Sequence, residues 1–215
     1  MLDLILHNTR VLTQSTPSIA DAVGVRDGRI ACVGRDEEVL RAAGHGTRTI
    51  DLGGRTLVPG FNDAHAHIWK IGQLLTSMLD LCRNFRRYLP DSLPPRTYPV
   101  RAMLDAGVRV ALSSDAPVVE DDNPLVGMMA AITRLDSEGC PMAPAQAITA
   151  EEALYAYTMG GAIASGDEAN RGSIEAGKWA DLAVLSGNPL TVPPEALPEL
   201  KVDMTFVAGR VLFER

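Results

Sequence analysis

The segment Gly60-Phe61-Asn62-Asp63-Ala64-His65-Ala66-His67 sets one carboxylate and two imidazoles at alternate positions. In an extended strand, side chains two apart share a face, so Asp63, His65 and His67 project together. Two imidazoles side by side are half of a divalent-metal site, and imidazole suits zinc. Taken alone, H-x-H is more often a surface or core pair than a ligand pair. Its setting favours ligation: the pair follows apolar Leu57-Val58 and Pro59-Gly60, at a strand's carboxyl end, and Asp63 is placed to orient an imidazole.

Asp115 is the second candidate, at the end of Ala111-Leu112-Ser113-Ser114-Asp115-Ala116-Pro117. An isolated strand-end aspartate commonly caps a helix or closes a turn. Beside a metal it can ligate the ion and accept a proton from bound water, whose pKa the ion lowers to about 7. No base is placed to make a serine triad with Ser113 or Ser114, so both are expected to satisfy loop backbone. Asp121, Asp122 and Asn123 are expected to cap the helix that opens at Pro124. Cys140, before Pro141 in a loop, is expected to be inert.

The elements that must hold these residues follow from pattern. Up to about Val58 the chain reads as short strands. Leu4–Leu12 is β-rich, and Val23–Arg26 and Arg29–Val33 flank Asp27-Gly28, a two-residue signal for a type I′ hairpin. Asp36–Ala43 reads as a short helix, and Gly53-Gly54 is a turn between Thr49–Leu52 and Thr56–Val58. From Pro59 to about Asn170 the texture becomes alternating strand and helix, an α/β pattern. Tyr98–Ala106 reads as a helix with Pro99 in its first turn and Gly107 just past its end. Val108–Leu112 reads as a buried strand, and Pro124–Leu135, apolar on nearly all sides, as a core helix. Thr149 and Glu152 have capping-box spacing for a helix through Tyr157. The tail returns to strands at Trp179–Leu185 and Met204–Ala208, and Gly209-Arg210 turns into Val211–Phe213. Cys82 to Pro99 is a proline-rich connector with no clear element.

Composition narrows the classes. A formal net charge of −7 leaves no electrostatic footprint for nucleic acid or an anionic membrane. The Arg83, Arg86, Arg87 cluster is expected to be a solvated face. Three cysteines without a C-x-x-C pair argue against a disulfide framework and for a reducing, cytoplasmic compartment. Met1–Leu6 carries Asp3 where a signal peptide has basic residues, and reads as a strand. No apolar run approaches the roughly 18 residues that span a bilayer.

In order along the chain, Gly54–His67, Tyr98–Pro117, Gly172–Leu185 and Val207–Val211 resemble the amidohydrolase superfamily, and within it the N-substituted formamide deformylase-like branch (amidohydrolase 3 type). The resemblance implies an α/β plus β fold. A composite β-sandwich from both termini, residues 1–58 and 172–215, accompanies a metal-bearing (β/α)8 barrel, here residues 59–171. It implies that His65 and His67 are the strand-one metal ligands. Asp115 would be the strand-eight aspartate, both metal ligand and general base. The implied chemistry is metal-dependent hydrolysis of small amide or formamide C–N bonds by activated water, with zinc as the expected ion.

The barrel is expected to be incomplete. A (β/α)8 barrel takes about 200 residues or more, and the stretch from Pro59 to Asn170 is far shorter. The match passes from the first barrel strand and its following segment, up to about Leu81, directly to the seventh helix and eighth strand near Tyr98. The lysine or acid of strand four and the histidines of strands five and six fall in the missing part. His7 and His45 lie in the sandwich portion and cannot replace them. Two further expectations follow: an inactive remnant or interaction module that self-associates through exposed strand edges, or a fragment of a longer active enzyme.

Overall fold

A computed structural model describes residues 1–64, 90, 97–116, 122–136 and 138–215. These fall into two compact units. One comprises Met1–Asn62, Ser165–Thr191 and Leu200–Arg215; the other comprises Asp63–Ala164 and Val192–Glu199.

The first unit is built on two sheets. Strands β1 (Leu4–His7), β4 (Ala22–Arg26), β5 (Arg29–Gly34) and β6 (Arg48–Asp51) form one, in the order β5-β4-β1-β6. The other contains β2 (Arg10–Leu12), β3 (Ile19–Ala20), β7 (Thr56–Pro59), β8 (Leu182–Leu185), β9 (Val202–Val207) and β10 (Arg210–Glu214), in the order β10-β9-β8-β7-β2-β3. Residues from both ends of the chain thus share one sheet, joined where β7 pairs antiparallel with β8.

Alternation explains the packing. Leu4 and Leu6 of β1 join Val11, Leu57, Leu182, Val184, Met204 and Phe206 in one core. Ile5, between them, points the other way and packs with Leu2, Ala22 and Val39, the last from helix α1 (Asp36–Leu40). Strand β1 is therefore apolar on both faces, as a covered strand must be.

Two turns carry the chain between sheets. Asn8, with φ 52°, breaks β1 from β2, and Gly53 and Gly54, with φ 60° and 79°, break β6 from β7. The Gly54 amide donates to the Asn8 carbonyl (2.7 Å), which ties one turn to the other. The Asp27-Gly28 hairpin forms as its sequence predicts, with both residues at positive φ (51° and 75°), the type I′ requirement. The last hairpin turns at Ala208-Gly209, one residue earlier than expected.

The second unit is helical in its described residues. Helices α2 (Val100–Asp105), α3 (Pro124–Thr133), α4 (Ala150–Tyr155) and α5 (Gly161–Ala164) are joined by short 3₁₀ turns and loops, and a π turn, Ala156–Gly160, links α4 to α5. Asn123 caps α3 by accepting from the Leu125 amide (3.0 Å), as expected; Asp121 lies outside the described residues. Helix α3 stops at Thr133 because Arg134 enters the left-handed region, φ 56°. Its buried residues Leu125, Met128 and Ala131 follow a spacing of three, one stripe and not an all-round core surface. The 3₁₀ segment Pro194–Glu199, with buried Leu197, packs on α3.

One expectation fails. Val108–Leu112 forms no strand among the described residues: Val108 is exposed, Val110 is buried, and no ladder partner is present. The backbone groups of this stretch face a helix instead. The Leu112 amide donates to the Ala156 carbonyl (3.2 Å), and the Val110 carbonyl lies against the backbone at Gly160.

Candidate active site

Of the three residues expected to hold a metal, Asp115 lies among the described residues; His65 and His67 lie outside them. Asp115 sits half-buried at φ 56°, a left-handed conformation that aspartate tolerates better than most side chains. The turn it closes is held by three groups of the same unit.

The first is Asp63. Its Oδ2 accepts from the Ser114 backbone amide (3.0 Å) and from the Ser114 hydroxyl. Ser114 Oγ in turn accepts from the Ala116 amide (3.1 Å). Ser114 thus serves as donor and acceptor at once, which fits the expectation that these serines satisfy loop backbone. The imidazoles that Asp63 was expected to orient lie outside the described residues; among the described ones Asp63 joins a residue 51 positions away, beside Asp115.

The third group is Tyr157, on the π turn. Its hydroxyl donates to the Ser113 carbonyl (3.4 Å). The ring is buried, and it fits because position 127 on α3 is glycine: a Cβ there would stand 1.9 Å from the phenol oxygen. Burial first, and the negative charge of Asp63 second, push the phenol well above its ordinary pKa. It therefore stays protonated and remains a donor. Nothing in the sequence marked Tyr157 or the Asp63–Ser114 pair, because the contacts join residues far apart in the chain.

Elsewhere among the described residues, Asp136, Glu138 and Cys140 bring ligand atoms within 4.8 Å of one another. Their arrangement is first a turn: Asp136 Oδ1 accepts from the Glu138 and Cys140 amides (3.0 and 2.8 Å).

The motif Gly172–Leu185 has a structural use in the first unit. The Asp181 carbonyl accepts from the Gly60 amide (2.8 Å), its Oδ1 from the Ala208 amide (2.8 Å), and its Oδ2 pairs with Arg171 (2.7 Å). One aspartate fixes the exit of β7 and the last hairpin turn together. Trp179 lies under the Arg29 guanidinium, 3.8 Å from the ring centroid, a cation–π contact.

The fold is shared with solved structures of other proteins. An amidohydrolase from Thermotoga maritima superposes with a TM-score of 0.68 at 15% identity, over 99% of this chain and 100% of that one. A zinc-bound adenosine deaminase from Xanthomonas campestris gives 0.71 at 15% identity, over 99% and 93%. At the level of sequence, the model of the Amidohydrolase family matches residues 83–213. The chain belongs to the amidohydrolase family. It is 46% identical over 120 residues to an N-substituted formamide deformylase from Arthrobacter pascens, a stretch that covers 56% of this chain and 22% of that relative.

Proposed function

We propose that the chain is a metal-dependent hydrolase of small amide or formamide C–N bonds, with His65, His67 and Asp115 as metal ligands and zinc as the ion. The donor set fits: two imidazoles and one carboxylate are ligands zinc takes readily, with a fourth position left for water. A bound zinc would lower the pKa of water to about 7 and polarise the substrate carbonyl. Asp115 would take the proton of the attacking water and return it to the departing nitrogen as the C–N bond breaks. Ser114 and Tyr157 would act on the backbone around Asp115 and not on substrate.

The observation that carries this reading is the left-handed Asp115 turn, clasped to the residue that opens the His-x-His segment. In the same reading the two sheets are the composite β-sandwich and residues 59–171 are the (β/α)8 remnant. The expected compartment is cytoplasmic; no helix among the described residues is long and apolar enough to cross a membrane. Association through strand edges belongs here too, since edge strand β10 leaves Leu212 and Phe213 exposed.

The matched stretch covers 22% of the deformylase relative, and this favours a second reading: a fragment or inactive remnant of a longer enzyme. Metal analysis separates the two. About one zinc per chain, lost in His65→Ala together with hydrolysis of an N-substituted formamide, supports the enzyme. A metal-free chain without turnover supports the remnant.

A further inference from the structure

We infer that Asp63 and Ser114 form a latch that positions Asp115 for metal ligation; the inference rests on the reading of Asp115 as a ligand. Asp63 precedes His65 by two residues, and Ser114 directly precedes Asp115. The Asp63 carboxylate grips both hydrogen-bond donors of Ser114, and so fixes the Ser113–Ser114 peptide and the rotamer of the Ser114 side chain together. The Ser114 hydroxyl then takes the Ala116 amide, so the residues on both sides of Asp115 are bound through one oxygen.

The strain and the clasp belong together. A left-handed aspartate is disfavoured and persists where its surroundings over-determine it. Here Asp63 holds the turn through Ser114, and Tyr157 holds the Ser113 carbonyl. The bond is charge-assisted, about twice as strong as a neutral pair. It also joins the two ligand-bearing segments directly, across 51 residues, with no strand ladder among the described residues of Val108–Leu112. That contact ties the residue two before His65 to the residue just before Asp115. Asp63 and Ser114 are positioning residues: neither is offered to metal or substrate.

The test is zinc affinity of the full chain, measured by competition with a chromophoric chelator. Ser114→Ala and Asp63→Ala are each expected to weaken zinc by about 10–100-fold, as loss of a partner behind a ligand typically does. The double variant should be no weaker than the worse single one, because both remove one device. Ser114→Thr, which keeps the hydroxyl, should restore most of the affinity. Should Ser114→Ala fail to fold, Asp63→Asn carries the test, since Asp63 lies at the surface. Wild-type affinity in both single variants overturns the latch while leaving Asp115 as a ligand. Equal zinc binding by wild type and Asp115→Ala overturns the ligand reading, and the latch with it.

Discussion

Gly160 and Gly127 show how closely the backbone around Asp115 is packed. A Cβ on Gly160 would stand 2.3 Å from the Val110 carbonyl oxygen, and backbone cannot swing aside as a flexible side chain can. In an exposed helix, glycine to alanine stabilises by about 1 kcal/mol. Here the sign reverses: Gly160→Ala is expected to destabilise by about 1–3 kcal/mol, the usual cost of overpacking. Urea denaturation checks it, and a raised midpoint would contradict the packing. Gly127→Ala acts on the same site from α3, because its Cβ would collide with the Tyr157 hydroxyl. Tyr157 would have to leave the Ser113 carbonyl, so this substitution and Tyr157→Phe should both lower zinc affinity, the first more than the second.

Helix α4 owes its start to a reciprocal cap. The Glu152 amide donates to Thr149 Oγ1 (3.1 Å), while Glu152 Oε2 accepts from the Thr149 amide (2.8 Å). Arg101 of α2 adds an ion pair to Glu152 at 2.7 Å. The Thr149 amide first, with the Arg101 and Thr149 side chains, holds the Glu152 carboxyl below its ordinary pKa against the opposing effect of burial. A depressed folded value means the contribution is complete above the unfolded pKa of about 4.3 and fades as pH falls through the folded one. Thr149→Ala should therefore cost about 1 kcal/mol near neutral pH. Glu152→Gln should be less stable than wild type at neutral pH, and the gap should close below about pH 4; urea midpoints across that range measure it. This cap was legible because its partners sit three residues apart, and Asp27-Gly28 and the Asn123 cap are likewise local in sequence. Local spacing could not reveal the Val108–Leu112 backbone turning to a helix, the π turn, or Pro194–Glu199 packing on α3. Each depends on a partner distant in sequence. His65-x-His67 stood out by residue type, yet the contact that fixes Asp63 was invisible until Ser114 was brought beside it.

At the scale of the whole molecule, the two units are stabilised differently. The first has a continuous sheet core in which Ile5, Leu6, Leu57 and Val184 are fully buried. The described helices of the second are short, ten residues at most. Isolated helices under about 12–15 residues are marginal in water, so these depend on tertiary contacts. Such a region opens locally at less than the global unfolding cost. The residues proposed to bind zinc, His65, His67 and Asp115, fall in the chain segment Asp63–Ala164 of this second unit. Ligand bound to the folded form at about one hundred times its Kd adds about 2.7 kcal/mol of stability. That gain should appear where opening is limited by the site. Hydrogen exchange with and without zinc is therefore expected to slow in peptides covering residues 100–116 and 150–164, and to change little in β1, β4, β8 and β9. A chelator should reverse the difference, and Asp115→Ala should abolish it. Equal slowing in the sheets and the helices would mean that zinc acts on global unfolding. No slowing anywhere would favour the remnant over the enzyme, with the sheets as the part of the fold that stands without metal.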